Sequence, residues 1–365
     1  MKLIHVVGAR PNFVKVAPVQ RAIAERTSFE QTIVHTGQHY DRNMSAVFFQ
    51  ELGLPEPDRN LGVGSGSHAR QTAAVMVAFE QVVQENQPDL VLVYGDINST
   101  VAAALVCAKL GVQVAHVEAG LRSRDRSMPE ELNRLVTDQL ADLLLTPSPD
   151  ADENLLAEGI PVARIRRVGN VMIDTLVRLL PRALEGDVLK RLGLEGGGYA
   201  VLTMHRPGNV DDEHTLGRLL EALSEIGHDV PVVFPVHPRT RLRLADLGVA
   251  VDDDVIRMIE PLGYLDFLAL QAQARLVLTD SGGIQEESSY LGVPCLTMRP
   301  NTERPITVEM GTNQLVGRDP QRVLAAARDV LSGSNPWDHR PEGGIPLWDG
   351  QAGERIADLL VEMRG

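Results

Sequence analysis

One short stretch combines residue types that suit a phosphate group with the elements that would present them. Residues 276–287 read Leu-Val-Leu-Thr-Asp-Ser-Gly-Gly-Ile-Gln-Glu-Glu, an apolar run followed by a small polar turn and by helix-forming residues. This order predicts a strand, a tight turn and a helix. Gly282 and Gly283 have no Cβ, so backbone N–H groups at the helix start can close on an anion that the helix dipole favours. The alternative is that Asp280 or Ser281 only caps the helix.

The predicted helix carries two carboxylates, Glu286 and Glu287, which the sequence places in its first turn. A carboxylate at this position either neutralises the helix dipole or accepts hydrogen bonds from sugar hydroxyls. A diphosphate beside a ribose would use both the glycine turn and a glutamate. The stretch therefore predicts a nucleotide site at the end of a strand.

A second cluster of charged residues follows the first apolar run of the chain. Residues 8–11 read Gly-Ala-Arg-Pro, and Lys15 comes in the early turns of the next helix. Neither the Gly-x-Gly-x-x-Gly fingerprint of dinucleotide enzymes nor the Gly-x-x-x-x-Gly-Lys loop of P-loop NTPases is present. Arg10 and Lys15 place positive charge at the positive end of a helix, which is unfavourable without a counter-charge. That counter-charge is either an anionic ligand or a carboxylate of the chain itself.

Three acids follow elements in the middle of the first half. Asp96 comes directly after one predicted strand, and side-chain alternation along the next strand puts His116 and Glu118 on one face. Glu130 begins a helix that also contains Arg134. Like charges that share a crevice raise at least one pKa, so the three acids would provide a base and an acid near neutral pH.

Several of these residues also have a purely structural interpretation. Ser127 and Glu130 have the spacing of a capping box, and Glu130 and Arg134 have the i,i+4 spacing of a helical ion pair. His205 and His237 each follow a predicted strand and stand close to a proline and an arginine. Such a histidine is either structural or a phosphate contact.

The elements that must position these residues alternate between strands and helices, which predicts βαβ units and parallel sheets. The strands predicted in the first half are 3–7, 32–35, 90–94, 113–117 and 143–146. Those predicted in the second half are 199–204, 231–236, 255–259, 276–279 and 294–298. Helices are predicted at 12–26, 69–85, 100–110, 171–180, 213–226 and 354–363. The fold class is α/β with two Rossmann-like domains, and the ligand is expected at carboxyl ends of strands in the cleft between them.

Length and composition agree with two domains. The chain has 365 residues, 44% of them hydrophobic and only 4% aromatic, which is typical of an α/β protein with two cores. A formal net charge of −14 argues against nucleic acid as a partner. Cys107 and Cys295 are far apart and outside any metal-binding spacing, so both are predicted to be reduced core residues. No signal-like or membrane-length apolar stretch and no metal site is visible, so the chain is expected to be cytoplasmic.

Taken together, the motifs resemble the non-hydrolysing UDP-N-acetylglucosamine 2-epimerases. The resemblance covers residues 3–317. Its motifs are Gly-Ala-Arg-Pro at 8–11, Gly-Gln-His at 37–39, Gly-Asp at 95–96, His-Val-Glu-Ala-Gly-Leu-Arg at 116–122, Pro-Glu-Glu at 129–131, residues 280–287 and Thr-Glu-Arg-Pro at 302–305. It implies a glycosyltransferase-like (GT-B type) fold with two Rossmann domains, assigned here to 1–170 and 171–353, and a last helix, 354–365, that returns to the first. It also implies a homodimer and a reaction without metal or nicotinamide.

The resemblance further implies a mechanism and a role for each motif residue. Its members invert C2 of the sugar by eliminating UDP to a 2-acetamidoglucal and adding UDP back on the other face. The resemblance implies that the catalytic residues are Asp96, Glu118, Glu130, His205 and Arg134. The substrate-binding residues are Arg10, Lys15, Phe267 at the uracil, Ser281, Gly282 and Gly283 at the phosphates, and Glu287 at the ribose. The residues that match a regulatory site of some bacterial relatives are Gln38, Glu131, Arg206 and His237.

The sequence departs from the family pattern at two places. Ile97 follows Asp96 where relatives often have a hydroxyl residue, and Pro-Gly-Asn at 207–209 follows His205-Arg206 where many have Glu-Asn. The motifs at 8–11 and 37–41 are also similar to relatives that act on 2,3-diacetamido uronate sugars, which would need a cation near C6. The motifs are also compatible with a hydrolysing epimerase, a UDP-sugar glycosyltransferase or a UDP-sugar sensor without turnover.

Overall fold

The computed structural model describes residues 1–38, 49–246, 252, 255–334, 337 and 343–364. The side chain of Arg10 lies outside this description, as do residue His39 and part of the segment 335–353. The chain divides into two compact units, Met1–Arg178 with Pro346–Gly365, and Leu179–Ile345. The domain division at 170 and 353 that the sequence suggests stays a prediction.

The first unit is built on a seven-stranded sheet of parallel strands in the order β3-β2-β1-β4-β5-β6-β7. Its strands are β1 (Lys2–Val7), β2 (Glu30–His35), β3 (Arg59–Asn60), β4 (Leu90–Tyr94), β5 (Gln113–Val117), β6 (Leu143–Thr146) and β7 (Ile165–Arg167). The helices that accompany them are α1 (Arg10–Arg26), α2 (His68–Asn86), α3 (Asn98–Leu110), α4 (Pro129–Leu140), α5 (Pro149–Ala157) and a 3-10 turn (Val162–Arg164). Helix α6 (Val171–Leu184) contains the boundary between the units.

The second unit repeats this plan with six parallel strands in the order β10-β9-β8-β11-β12-β13. Its strands are β8 (Ala200–Thr203), β9 (Val232–Pro235), β10 (Ile256–Ile259), β11 (Leu276–Thr279), β12 (Cys295–Thr297) and β13 (Asn313–Leu315). Its helices are α7 (Val188–Leu192), α8 (Pro207–Val210), α9 (Glu213–Asp229), α10 (Pro238–Asp246), α11 (Tyr264–Ala272), α12 (Gly282–Leu291), α13 (Ile306–Glu309) and α14 (Pro320–Leu331).

The last helix, α15 (Ala352–Arg364), belongs to the first unit and packs on α1. Its first N–H groups donate to the Asp174 carboxylate, from Ala352 at 3.1 Å and from Gly353 at 2.7 Å. A Cβ on Gly353 would lie 2.7 Å from the carbonyl oxygen of Pro18 in α1. The close contact of the two helices therefore depends on glycine at this position.

The apolar runs form strands because helices cover both faces of the sheets. All five residues of β4 and all four of β6 are buried, as expected for parallel strands. In β8, Ala200 and Leu202 enter one apolar cluster and Val201 enters another, which follows the alternation of side chains along a strand. Cys107 and Cys295 are buried free thiols, as predicted.

The predicted α/β class with Rossmann-like parallel sheets is confirmed. Strands β4, β5, β6 and β11 have the predicted bounds, and the other predicted strands differ by one or two residues at one or both ends. Strands β3, β7 and β13 are missing from the prediction because each has only two or three residues and little apolar character. In the described part of the chain, no helix combines the length and apolar character needed to cross a membrane.

Candidate active site

The charged residues singled out in the first unit follow strands near the switch point of its sheet. The strand order reverses between β1 and β4, and open parallel sheets bind their ligands at the carboxyl ends of the strands at such a point. Lys15 lies on α1, which follows β1, and Asp96 comes shortly after β4. Glu118 follows β5, the next strand in the sheet. The sheet therefore brings all three to one edge.

Lys15 and Glu118 form a buried ion pair. The Lys15 Nζ lies 2.8 Å from the Glu118 carboxylate, and the two side chains are 6% and 3% exposed. The packing is tight, since a Cβ on Gly95 would lie 2.7 Å from this Nζ. Of the two counter-charges that the sequence left open for Lys15, the structure supplies the carboxylate of the chain itself.

Glu118 does not share a strand face with His116, so that prediction is wrong. β5 ends at Val117, and Glu118 has a φ of 71°, in the left-handed region. The N–H groups of Glu118 and Ala119 both donate to the Leu145 carbonyl oxygen, at 3.1 Å, and so hold this turn. A non-glycine residue in this conformation is strained, and such strain concentrates at functional sites.

Arg134 on α4 links two carboxylates at the same edge. Its Nη1 contacts Asp96 Oδ2, and its Nη2 lies 2.7 Å from Glu131 Oε2. The arginine side chain is 2% exposed, whereas that of Asp96 is 23% exposed. The guanidinium therefore holds Asp96 in a fixed orientation while part of its carboxylate stays open to the crevice.

The third predicted acid, Glu130, lies in the first turn of α4 and is partly buried. The capping box predicted for Ser127 and Glu130 is wrong, because the helix begins at Pro129 and its N-cap residue is Met128. The negative charge of Glu130 suits this position, since it lies at the positive end of the helix dipole.

The acids do not meet as bare like charges, which corrects the arrangement expected from the sequence. Asp96 has Arg134 as its partner, and Glu118 has Lys15. Asp96 and Glu118 are therefore each compensated and oriented by a cation. The site offers acid–base groups in defined positions, and the two cations add positive charge beside any leaving anion.

Two residues matched to a regulatory site, Gln38 and Glu131, make internal contacts. Gln38 Oε1 accepts hydrogen bonds from the N–H of Ser99, at 3.2 Å, and from its hydroxyl, at 2.8 Å. Glu131 accepts from the N–H groups of Ser123 and Arg124, both at 2.9 Å. Burial opposes ionisation of Glu131, but the guanidinium of α4 and these hydrogen bonds outweigh it and lower its pKa. Gln38 therefore holds the first turn of α3, and Glu131 holds the backbone at residues 123–124.

In the second unit, Asp280 ties together the ends of β8 and β11, the strands at its switch point. Its carboxylate accepts hydrogen bonds from the N–H groups of His205, at 2.9 Å, and Arg206, at 2.8 Å, and from the Asn209 amide, at 3.1 Å. Nδ1 of His205 lies 3.0 Å from the same carboxylate. Burial opposes ionisation, but these contacts lower the pKa of Asp280. Ser281 is the N-cap residue of α12, but its side chain makes no cap hydrogen bond. The Asp280 carboxylate binds the end of β8. The alternative in which one of these two residues serves only as a helix cap is therefore not supported.

A pocket of about 320 Å³ lies beside His205. Its lining residues are Thr203, Met204, His205, Pro235, His237, Pro261, Leu262, Phe267, Ser281 and Ile284. Phe267 and Ser281 are among the predicted substrate-binding residues, and the ring centroids of His205 and His237 are 6.0 Å apart. An apolar wall with an aromatic ring suits a flat base, while the histidines and the serine supply polar contacts.

Gly282 allows a buried cation to approach the start of α12. A Cβ here would lie 2.5 Å from Arg304 Nη1 and 2.6 Å from Glu303 Oε1. Arg304 forms ion pairs with Glu303, at 2.6 Å, and Glu286, at 2.8 Å, and Arg299 lies 2.7 Å from Glu303. Arg304 thus places positive charge beside the turn predicted to hold phosphate. It belongs to the motif at 302–305, although the sequence alone predicts no role in the site for it.

Glu287 is buried within the second unit. Its carboxylate accepts a hydrogen bond from the Tyr264 hydroxyl at 3.0 Å. With the Gln271 amide turned so that its oxygen accepts from Ser288, the amide nitrogen also donates to Glu287 at 3.0 Å. Burial, aided by the charge of Glu286, raises its pKa to about 7. The first turn of α12 contains no acid, so the placement of Glu286 and Glu287 in that turn is wrong. Tyr264 and Gln271 had no local signal in the sequence, because only the fold brings them to this carboxylate.

Two further predicted residues belong to the same region. Arg206 is half-buried, with its guanidinium 3.8 Å from Glu303, and Gly283 is the second residue of α12. Among the residues that the structure describes, no group of three or more His, Cys, Asp or Glu side chains is arranged to hold a metal ion.

These features define the class of protein: an α/β enzyme of the glycosyltransferase-like (GT-B type) fold, with one Rossmann-like unit rich in partnered carboxylates and another with a histidine-lined pocket. The protein-family model described as UDP-N-acetylglucosamine 2-epimerase matches residues 21–361 of this chain. The chain belongs to the UDP-N-acetylglucosamine 2-epimerase family and is an isomerase. The resemblance found in the motifs is thereby confirmed.

Individual relatives agree over the whole length. The chain is 42% identical to the UDP-N-acetylglucosamine 2-epimerase of Methanocaldococcus jannaschii, covering 99% of each chain. It is also 42% identical to the UDP-2,3-diacetamido-2,3-dideoxy-D-glucuronate 2-epimerase of Pseudomonas aeruginosa, covering 100% of each. The crystal structure of the M. jannaschii enzyme in complex with UDP-GlcNAc and UDP is similar with a TM-score of 0.90, covering 99% of this chain and 100% of that one.

Proposed function

We propose that the protein interconverts UDP-N-acetylglucosamine and UDP-N-acetylmannosamine by epimerisation at C2. The observation that carries this proposal is the placement of Asp96 and Glu118, each oriented by a cation, at the switch point of the first sheet. The similarity to an enzyme whose structure contains UDP-GlcNAc and UDP supports the choice of substrate.

The proposed reaction passes through a 2-acetamidoglucal. A carboxylate takes the C2 proton, the electron pair of that C–H bond forms the C1=C2 double bond, and UDP leaves with the electrons of the C1–O bond. UDP then adds back to C1 while a proton reaches C2 from the opposite face. The C2 proton is not adjacent to a carbonyl, so a positioned base must act together with departure of the diphosphate.

In the first unit we assign this acid–base work to Asp96, Glu118 and Glu130. Arg134 orients Asp96, and Lys15 orients Glu118. Two carboxylates supplied from different strands suit a reaction that exchanges a proton on both faces of one carbon. The cations also favour the negative charge that develops on the departing diphosphate.

In the second unit we assign nucleotide binding. His205, held by Asp280, would contact the diphosphate, and the turn at 281–283 would hold phosphate with its N–H groups, assisted by Arg304. Phe267 would pack on the uracil. Glu287 would accept hydrogen bonds from the ribose hydroxyls. For Arg10 and Lys15, which belong to the first unit, a nucleotide contact is proposed from the family resemblance.

A regulatory role for Gln38, Glu131, Arg206 and His237 also stays a proposal. Gln38 and Glu131 are engaged in internal contacts, whereas His237 lies in the wall of the pocket. A response of the rate to added UDP-N-acetylglucosamine that is lost in His237→Ala would support this role. A rate that follows simple saturation in the unaltered protein would contradict it.

The experiment that tests the function is proton and phosphorus NMR of the protein with UDP-N-acetylglucosamine in D₂O. Deuterium at C2, together with a mixture of gluco and manno UDP-sugars, is the expected result. Free UDP that accumulates with N-acetylmannosamine would instead indicate a hydrolysing enzyme. An unlabelled, intact substrate would remove this substrate from the proposal.

The Asp96→Asn variant tests whether Asp96 takes part in the exchange that this assay measures. We expect loss of deuterium exchange with UDP affinity retained, because the substitution removes a proton acceptor from the sugar side only. The matched control is Glu153→Gln, which changes an exposed carboxylate on α5. Equal turnover in Asp96→Asn and the unaltered protein would exclude Asp96 from the mechanism.

A second substrate is supported by one specific observation. The identity to the P. aeruginosa 2,3-diacetamido uronate epimerase equals that to the M. jannaschii enzyme. The discriminating measurement is kcat/KM for both UDP-sugars in one preparation. A higher value for the uronate would reassign the substrate while leaving the epimerase chemistry intact.

We also propose a cytoplasmic homodimer. Exposed Ala73, Ala74 and Val77 on α2 form an apolar face that a second copy would cover. Light scattering of the purified protein should give twice the chain mass, and Val77→Glu should reduce it to one chain. A monomer at all concentrations would refute the dimer.

A further inference from the structure

His116 on β5 has both ring nitrogens against hydrogen-bond acceptors. Nδ1 lies 2.6 Å from Asp138 Oδ1, and Nε2 lies 2.8 Å from the carbonyl oxygen of Gly95. The histidine and aspartate side chains are fully buried. A carbonyl oxygen cannot donate a hydrogen bond, so Nε2 must carry a proton. The remaining question is which group holds the proton between Nδ1 and Asp138.

The surroundings of Asp138 place that proton on the histidine. The other carboxylate oxygen, Oδ2, lies 2.7 Å from Arg122 Nη1 and accepts the N–H of Gly120 at 3.1 Å. Burial opposes ionisation of Asp138, but the charges and hydrogen bonds of His116 and Arg122 outweigh it and lower the pKa of its carboxyl group. The ion pair with Arg122 and the hydrogen bond from Gly120 favour the ionised form of Asp138 independently of His116, and a carboxylate can only accept a hydrogen bond from Nδ1.

Charge balance makes a buried imidazolium acceptable here. Arg122 also forms an ion pair with Glu158, at 2.7 Å. The cluster of His116, Arg122, Asp138 and Glu158 thus contains two positive and two negative groups. Buried charges are tolerated when they are paired and hydrogen-bonded, as these are.

This cluster makes hydrogen bonds to the backbone of the two turns that carry Asp96 and Glu118. The Gly95 carbonyl that His116 holds belongs to the residue immediately before Asp96. The Gly120 N–H that Asp138 holds belongs to the strained turn that begins at Glu118. One buried cluster therefore restrains both turns that present the two carboxylates.

We propose that His116 donates hydrogen bonds from both ring nitrogens, as an imidazolium cation, and that together with Asp138 it positions the backbone turns carrying Asp96 and Glu118. His116 is a positioning residue, because it contacts the Gly95 carbonyl directly and reaches the Gly120 N–H only through Asp138. The effect on catalysis rests on the proposed epimerase function, whereas the protonation state does not.

His5 provides an internal contrast on the same sheet. It is also fully buried, with Nδ1 2.7 Å from the Tyr94 hydroxyl and Nε2 2.9 Å from Gln31 Oε1. The tyrosine hydroxyl can donate a hydrogen bond, so a neutral ring satisfies both contacts. Burial lowers the pKa of His5 to about 4, which keeps the ring neutral at neutral pH. Two buried histidines of one unit should therefore differ in charge.

The first experiment is nitrogen NMR of the unliganded full chain labelled with ¹⁵N-histidine at neutral pH. The His116 and His5 signals are assigned by their loss in His116→Gln and His5→Gln. For His116 we expect two protonated ring nitrogens with nearly equal shifts, and for His5 the widely separated shifts of a neutral tautomer. A neutral ring at His116 would overturn the proposal whether or not the protein turns over any UDP-sugar.

The second experiment tests positioning through kinetics. In His116→Gln we expect kcat to fall about 10- to 100-fold, as for a small displacement of reacting groups, with UDP affinity changed less than about 3-fold. His5→Gln should leave kcat within about 3-fold, since His5 contacts neither turn. Unchanged kcat in His116→Gln, or equal losses in both variants, would overturn the positioning role.

Asp138→Asn keeps the proposal testable if His116→Gln does not fold. Its side chain has the same shape but can no longer balance an imidazolium. We expect the His116 signals to change to those of a neutral tautomer and kcat to fall by a similar factor. An Asp138→Asn protein with unaltered His116 signals and unaltered kcat would refute the coupling between the two residues. If the unaltered protein shows the imidazolium but no turnover of any UDP-sugar, the epimerase proposal fails and the protonation state stands.

Discussion

Replacing Glu287 with glutamine should make the second unit more stable above neutral pH. Glu287 is 4% exposed, and its carboxylate has the Tyr264 hydroxyl and the Gln271 amide as partners. Glutamine has nearly the same shape and no charge. The Gln271 amide can turn to present its oxygen, so the new side chain can keep both hydrogen bonds.

The magnitude follows from the pKa of Glu287, which burial raises from 4.5 to about 7. The folded protein therefore holds this proton more tightly than the unfolded chain. Stability is lost as pH rises from about 4.5 to about 7, and the loss is complete above that range. A difference of this size corresponds to about 3 kcal/mol, as an order of magnitude. Glu287→Gln lacks this loss, so its advantage should grow across the same pH window.

The assay is urea unfolding of both proteins between pH 5 and 8, observed by tryptophan fluorescence. The chain has two tryptophans, of which Trp337 packs in the core of the second unit and Trp348 belongs to the first. A Trp348→Phe background therefore reports on the second unit alone. Glu221→Gln, an exposed position on α9, is the control. A difference in unfolding free energy that does not change with pH would refute the buried, protonated state of Glu287.

The same variant tests the proposed ribose contact. Loss of a charged acceptor should weaken UDP binding about 10-fold, and the affinity of the unaltered protein should rise with pH up to about 7 as the carboxylate ionises. Calorimetry in buffers of different ionisation enthalpy would detect the proton that UDP binding releases. Equal UDP affinity for both proteins would remove Glu287 from the site.

Three further substitutions test the packing around the sites. Gly282→Ala should destabilise the second unit by about 1–3 kcal/mol and weaken UDP binding, because its Cβ would lie 2.5 Å from Arg304 Nη1; unchanged melting and affinity would contradict this. Glu303→Gln should cost about 3 kcal/mol in urea unfolding, since it leaves buried arginines without their carboxylate; a neutral effect would show that they find other partners. Gly353→Ala should lower the melting temperature by forcing α15 away from α1. Gly217→Ala is the control and should not lower it, because a Cβ at residue 217 would have no atom within 4 Å. Equal effects of the two substitutions would refute the contact argument.

Much of the candidate site could be predicted from the sequence because its signals are local. Asp96, His205 and Asp280 come shortly after apolar runs, and parallel strands bring such residues to one edge. Gly282 is recognisable from its place at the start of a helix. The resemblance of several motifs to one family then assigned residues of both sheets to a single reaction. The spacing within any one motif could not make that assignment.

The contacts that decide the chemistry could not be predicted in the same way. Lys15 and Glu118 are 103 positions apart, and Arg134 and Asp96 are 38 apart. The sequence offered Glu130 as a local partner for Arg134, whereas the fold pairs Arg134 with the neighbouring Glu131 and with the distant Asp96. The alternation argument also failed at Glu118, because the strand ends one residue earlier and the backbone turns left-handed.

The sequence by itself determined the α/β class, the positions of the longer strands to within one or two residues and the edge residues, because periodicity and turn chemistry act over a few neighbouring positions. Only the tertiary structure decided the charge partners of the acids, the buried state of Glu287 and the His116–Asp138–Arg122 cluster. Burial and ion pairing depend on which distant residues a fold brings within a few ångströms. That proximity sets the local dielectric and the counter-charge, and through them the protonation of each group.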